Sequence, residues 1–186
     1  MTGLVYVVDD DALLRHSLTG ILSDAGFKTI EFSSAELFLE HPVSYKPGCI
    51  LLDVKMHGMS GFDMQEKLLQ RDFVPPIIFL TGSSRLEKAV DAMRAGASHF
   101  LLKPINDDQL LDAVTEAINQ SKQASEFFTF LQKLTDTEKK IAMLISQGFL
   151  SKQIADILRT STRTVEWHRS NIGKKGGLPN YYLSNN

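Results

Sequence analysis

Leu4-Val5-Tyr6-Val7-Val8-Asp9-Asp10-Asp11 decides the fold: an apolar run, rich in β-branched residues, goes straight into a row of carboxylates. A run this short and apolar at every position reads as a strand buried on both faces, the usual state of strands in parallel sheets. The form recurs. Cys49-Ile50-Leu51-Leu52 ends at Asp53, Ile77-Ile78-Phe79-Leu80 at Thr81, and Phe100-Leu101-Leu102 at Lys103-Pro104. In an open parallel sheet, ligands bind in the crevice beyond the carboxyl ends of the strands, so these polar residues are expected to converge. Carboxylates, a hydroxyl and an ammonium at one sheet edge suit a divalent metal and a phosphoryl group.

The segments between these runs have helical period. Ala12, Leu13, His16, Leu18, Ile21 and Leu22 share one face before Gly26; Met64, Leu68 and Leu69 follow Gly61. Leu86, Val90, Met93 and Ala97 precede the last run, and Leu110, Leu111, Val114 and Ile118 follow it. Lys28-Thr29-Ile30-Glu31-Phe32 supplies a further, partly polar strand. Strands alternating with helices imply right-handed crossovers and a sheet covered on both faces. The expected architecture is α/β, a five-stranded doubly wound parallel sheet over residues 1–121, then a small all-α domain.

With 186 residues and 43% hydrophobic content, the chain is long enough for two domains with buried cores. The net charge of -2 hides an asymmetry. Residues 1–134 hold 12 Lys and Arg against 18 Asp and Glu, whereas residues 135–186 hold 8 against 4, which suggests a nucleic-acid partner for the rear segment. Cys49 is the only cysteine, so no intrachain disulfide can form, and its apolar strand makes it a buried structural thiol. The N-terminus lacks a basic run followed by an apolar stretch, and no segment reaches the ~18 apolar residues that span a bilayer, so a soluble cytoplasmic protein without a membrane partner is expected.

Asn119 to Glu126 is polar and reads as helix end and linker, with residues 122–134 forming a linker helix. Phe127, Phe128, Phe130, Leu131 and Leu134 then make an apolar stripe that needs a partner surface, either one of the domains or a second copy of the chain. Beyond it, over residues 135–186, the pattern is all-helical. Thr135 with Glu138 forms a capping-box signature for a helix through Ile145, which Gly148 closes. Ser151 is placed as the cap of a short helix over Gln153–Leu158, and Ser161 as the cap of a helix from Thr162 to about Lys174. Two helices joined by a tight turn, the second carrying Arg163, His168, Arg169, Lys174 and Lys175, outline a helix-turn-helix.

A carboxylate is a weak nucleophile toward phosphorus, and its charge repels the group it attacks. A divalent cation and a fixed ammonium remove that repulsion. Magnesium suits an all-oxygen site that spends only one or two protein carboxylates. VVDDD at 7–11, LLDVKM with GMSG at 51–61, FLTG at 79–82 and FLLKP at 100–104 resemble the signatures of bacterial two-component receiver domains, which have the CheY-like fold. The resemblance implies Asp53 as phosphoacceptor and a histidine kinase as partner. It implies Asp10, Asp53 and the Lys55 carbonyl as Mg2+ ligands, with Asp9 a ligand through water. It places Lys103 and Thr81 on the phosphoryl oxygens, Gly82 where access is needed, Phe100 as switch aromatic, and a cis bond before Pro104. Asp11 reads as a helix cap. His57 departs from the family, which commonly has Pro there, and any damage is expected in magnesium affinity.

Residues 134–175 resemble the LuxR-type helix-turn-helix through Leu134-Thr135, Glu138, Gly148, Ile154-Ala155, Leu158, Thr164-Val165 and His168-Arg169. The whole chain is therefore similar to the FixJ/NarL group of response regulators. That resemblance implies double-stranded DNA as ligand, a homodimer on phosphorylation, and RNA polymerase as a further contact. It places Glu166, Trp167 and Ser170 toward base edges, and Lys152, Thr162, Arg169, Lys174 and Lys175 on phosphates. Ile154, Ala155, Leu158, Val165 and Ile172 should form the small core. After Lys175 the pattern breaks at Gly176-Gly177-Leu178-Pro179, and a shortened C-terminal helix is expected. That leaves open a regulator with impaired DNA binding that acts through protein contacts. An aspartyl-phosphate phosphatase is disfavoured, because the second acid such enzymes need two residues after the nucleophile is Lys55 here. The expectation is a signalling protein rather than an enzyme.

Overall fold

Strands β1 (Leu4–Val8), β2 (Lys28–Phe32), β3 (Gly48–Asp53), β4 (Ile77–Thr81) and β5 (His99–Leu102) hydrogen-bond in the order β2-β1-β3-β4-β5, every pair parallel. The computed structural model describes residues 3–82, 96–176 and 178. Helices α1 (Ala12–Asp24), α2 (Ala35–Glu40), α3 (Gly61–Leu68) and α4 (Asp107–Leu131) accompany the sheet, and α5 (Asp136–Ser146), α6 (Ser151–Ile157) and α7 (Thr162–Lys174) follow. Leu86, Val90 and Met93 of one expected helix lie outside the described residues; Ala97 is buried. The chain divides into two units, Met1–Lys122 and Gln123–Asn186.

In the first unit the strands alternate their side chains between two cores. Val5, Val7, Leu51, Ile78 and Leu80 pack with Leu18 and Leu22 of α1 and with Leu110, Val114 and Ile118 of α4. Tyr6, Val8, Ile50, Leu52 and Phe79 pack with Phe38 of α2 and with Met64 and Leu68 of α3. Each fully buried aliphatic or aromatic side chain contributes roughly 1.5–3 kcal/mol. Burial pushes the Cys49 thiol up to about 12, so it is inert packing.

Three expectations are corrected. Leu13 is 85% exposed, because the stripe that α1 buries runs through Leu18 and Leu22 and Leu13 falls opposite Leu22. Helix α2 occupies a stretch where no element is expected from periodicity: only Ala35 and Phe38 are buried on it, too few to set a pattern. Asn119–Glu126 is not a helix end but lies within the continuous α4, and the division between the two units falls inside it. No Gly or Pro interrupts it, and its polar residues include buried ones, since Ser121 Oγ accepts from Gly48 N–H at 3.0 Å and donates to Ile118 at 2.8 Å.

In the second unit, Phe127, Phe130, Leu131 and Leu134 close over Ile141, Ala142, Ile145, Ile154, Ala155, Val165 and Ile172, with Leu158 partly buried. The apolar stripe thus finds its partner in the helical unit it introduces. Leu150, not Ser151, is the N-cap of α6; its N–H donates to Gln153 Oε1 at 2.8 Å. The expected shortened C-terminal helix, after Pro179, lies outside the described residues, while Leu178 is buried in this core.

Helices α1, α5 and α6 end in one motif, in which the residue after the C-cap takes a left-handed backbone and its N–H and the next return to the last turn. Gly26 (φ 86°) and Gly148 (φ 86°) fill that position on α1 and α5. On α6 it is Arg159, at φ 52°, with Thr160 N–H on Ala155 at 2.9 Å and Arg159 N–H on Asp156 at 3.3 Å. A side chain there costs on the order of 1 kcal/mol relative to glycine.

The capping box at Thr135 also carries a long-range tie. Glu138 Oε2 accepts from Thr135 N–H at 2.8 Å, from Thr135 Oγ1 at 2.9 Å and from Lys175 Nζ at 2.6 Å. Lys175, expected on DNA phosphate, thus has its ammonium on a carboxylate of its own unit. The Lys175 ammonium and then the Thr135 N–H lower the Glu138 carboxyl from 4.5 to about 2. A depressed folded value means the stabilisation is full above the unfolded value and is lost as pH falls through the folded one. The urea midpoint of this unit, followed by the emission of Trp167, the chain's single tryptophan, should therefore fall between pH 4.5 and 2. Glu138→Gln should flatten that fall.

Candidate functional site

Of the polar residues at the carboxyl ends of the strands, Asp9, Asp53 and Lys103 meet. Asp9 follows β1, Asp53 ends β3, and one carboxylate oxygen from each of Asp9, Asp10 and Asp53 lies within 4.8 Å of the others. Asp9 is 0% and Asp53 5% exposed, which like-charged groups tolerate only with a compensating cation. Lys103 is that cation. Its Nζ lies 2.9 Å from Asp9 Oδ2 and 2.9 Å from Asp53 Oδ1. Burial raises the Asp53 carboxyl above its ordinary value, and the Lys103 hydrogen bond offsets only part of that rise. Burial lowers the Lys103 ammonium, but its bonds to Asp53 and Asp9 outweigh this and raise it.

The register puts Lys103 there. Asp53 stands opposite Leu80, Thr81 follows, and Thr81 pairs with Leu102, after which Lys103 N–H bonds the Thr81 carbonyl at 2.8 Å. Thr81 is buried at the end of its strand and its Oγ1 donates to the Gly82 carbonyl at 3.1 Å; Gly82 itself is open, with nothing near a side chain placed there. The Lys103–Pro104 bond is cis. Phe100 is half-buried and stacks on Phe79, ring centroids 5.0 Å apart.

The loop after Asp53 is fastened on several sides. His57 N–H donates to Asp10 Oδ2 at 2.9 Å and its ring Nδ1 lies 2.5 Å from the same oxygen, the ring otherwise fully exposed. The His57 N–H, then its ring, lower the Asp10 carboxyl. Met59 N–H donates to Glu36 Oε1 at 3.0 Å, and Ser60 with Asp63 caps α3. Gly61 must lack a side chain, since a Cβ would come 2.3 Å from the Asp53 carbonyl. Asp11 caps α1, accepting from Leu13 and Leu14 at 2.9 and 3.2 Å. Two supports escape sequence reasoning: Arg15, whose Nη1 donates to the Asp9 carbonyl at 2.6 Å, and Glu36. Both are charged residues on helices, and neither position carries a signal of its partner.

The donor set around Asp9, Asp10 and Asp53 is all oxygen and strongly anionic, which fits a hard divalent cation. Lys55, the expected carbonyl donor, is exposed two residues past Asp53.

Residues 5–115 match the response regulator receiver domain, and residues 132–181 match the luxR family of bacterial regulatory proteins. The chain is a two-component response regulator. It is 37% identical over 179 residues to the response regulator protein TmoT of Ectopseudomonas mendocina, covering 92% of this chain and 81% of that one. The structure of response regulator StyR matches with a TM-score of 0.63 and 37% identity over 94% of this chain and 92% of that one. Full-length FixJ from B. japonicum matches with a TM-score of 0.58 and 33% identity over 93% and 89%. A receiver joined to a LuxR-type DNA-binding unit makes this regulator a transcription factor controlled through its receiver. No helix among the described residues is long and apolar enough to cross a membrane.

In the regulator's DNA-binding unit, α7 is held by Val165 and Ile172, spaced seven apart on its buried face. Arg163, Glu166, Trp167, Ser170 and Lys174 occupy the outer face, all exposed, with Trp167 at 61%. Thr162 and, on α6, Lys152 are exposed as well, whereas Arg169 is half-buried. His168 is half-buried too, its ring edge-on to Trp167 at 4.8 Å.

Proposed function

We propose that Asp53 accepts a phosphoryl group from the phosphohistidine of a partner kinase. An Asp53 carboxylate oxygen bonds to phosphorus as the phosphorus–nitrogen bond breaks, and the imidazole leaves with a proton from solvent. The observation that carries this reading is the position of Asp53: buried at a sheet edge, next to two further carboxylates, with Lys103 Nζ 2.9 Å away. Asp9, Asp10 and Asp53 with the Lys55 carbonyl would hold a magnesium ion, which when bound offsets the repulsion between carboxylate and phosphoryl oxygens. Lys103 is placed to follow the phosphoryl oxygens once Asp53 is esterified, and Thr81 to donate its hydroxyl to them. Phe100, stacked on Phe79 within two strands of the site, would report the change to the outer face of β5. Such a change is a population shift, driven by contacts that only the phosphorylated form makes.

The output is binding of duplex DNA by α7, with Glu166, Trp167 and Ser170 at base edges and Lys152, Thr162, Arg169 and Lys174 at phosphates. Dimerisation on phosphorylation and contact with RNA polymerase belong to the same reading, which makes the chain a phosphoacceptor and transcription factor rather than an enzyme. Phosphoramidate should label the chain with an acid-stable, hydroxylamine-labile phosphate in the presence of Mg2+ and not in EDTA. The labelled form should retain duplex DNA more tightly in a gel-shift assay; equal labelling in EDTA would refute the magnesium assignment.

A further inference from the structure

We propose that Arg159, in the turn between α6 and α7, contacts the phosphate backbone of duplex DNA. The inference rests on the reading of α7 as the DNA-facing helix and adds a residue outside both helices to the interface. Its first support is a contrast within the chain. The same helix-ending position holds Gly26 after α1 and Gly148 after α5, and among the described residues Arg159 is the only non-glycine with positive φ. Thr160 and Arg159 make both hydrogen bonds of the motif, so the left-handed backbone is built in rather than incidental. A residue that opposes its own backbone is a pointer to a use for its side chain.

The second support is what that side chain meets. Arg159 is exposed, and its guanidinium makes no hydrogen bond or ion pair among the described residues. It stands two residues before Ser161, the cap of α7, and four before Arg163, the first cation of the outer face. A helix N-terminus with its partial positive charge, flanked by two arginines, favours a polyanion over a neutral partner. Thr160, beside it, is exposed and carries no charge that would compete.

The test uses the full chain and a fluorescent duplex of about 30 mixed base pairs, because a phosphate contact does not depend on the operator sequence. Arg159→Gly should raise the thermal midpoint of the second unit, read by Trp167 emission, by about 3 °C or more. The same variant should bind the duplex about five- to tenfold more weakly at 0.1 M salt, with a salt slope shallower by about 1. Arg159→Lys, which keeps both charge and strain, should match the parent in midpoint and lose no more than about twofold in affinity. A glycine variant that gains stability while keeping parental affinity and slope overturns the proposal. So does one that loses affinity without gaining stability, because the strained arginine would then be part of the fold.

Discussion

Asp53→Asn abolishes magnesium-dependent labelling by phosphoramidate and at the same time raises the thermal midpoint of the receiver by about 2 °C or more. The first effect follows from chemistry. An amide oxygen carries no charge to give to phosphorus, and the remaining carboxylates, Asp9 and Asp10, follow β1 and do not occupy the end of β3. The second follows from electrostatics. Burial raises the Asp53 carboxyl, meaning that the folded surroundings disfavour its charge more than water does. The asparagine variant keeps an oxygen for Lys103 and drops the charge that opposes folding. Circular dichroism records the transitions of both units, and Trp167 emission, confined to the second unit, identifies which of them is not the receiver's. Retained acid-stable label would move the phosphoacceptor elsewhere, and a lowered midpoint would show that the carboxylate is a structural group.

Lys103→Met has the opposite sign. The methionine keeps the aliphatic stem, so the variant isolates the ammonium. Without it, Asp9 and Asp53, at 0% and 5% exposure, face one another with no cation between them. Removing one partner of a buried pair typically costs 3–5 kcal/mol; because the Lys103 side chain is 27% exposed, the expected loss is about 2–3 kcal/mol. Millimolar Mg2+ should restore most of it, because a divalent ion would supply the missing charge to the same oxygens, and the parent should gain less from the same addition. Urea midpoints with and without Mg2+ measure this directly. A variant as stable as the parent in metal-free buffer would remove Lys103 from its compensating role, and loss without magnesium rescue would remove the metal from these oxygens.

The sheet and its polar edge are legible in the sequence because parallel strands buried on both faces leave uninterrupted apolar runs, and each run here stops at a polar residue of that edge. Asp9, Asp53, Thr81 and Lys103 are found by asking only where hydrophobicity ends. What escapes has no such mark. Helix α2 buries two of its residues and so leaves no period. Arg15 and Glu36 act through contacts of 2.6 and 3.0 Å with backbone atoms, which any residue presents. The polar stretch Asn119–Glu126 reads as a break because polarity and exposure are correlated; Ser121 defeats the correlation by satisfying its hydroxyl inside the fold. In the second unit the ends of α5 and the start of α7 follow from caps and breakers, α6 is capped by Leu150 where a serine is expected, and nothing in the sequence pairs Lys175 with Glu138, 37 residues away.

Helix α4 has a bearing on modularity. Its last turns contribute Phe127, Phe130 and Leu131 to the core of the unit that reads DNA, so that unit begins inside a helix and not at the loop before Thr135. A fragment started at Thr135 would leave an open trough where those aromatic rings belong, whereas one started at Gln123 carries its own lid. For this regulator, any graft of a foreign output onto the receiver has to join helix to helix upstream of Phe127, at the exposed Lys122 and Gln123 and with the buried Ser121 and Ser125 left in place.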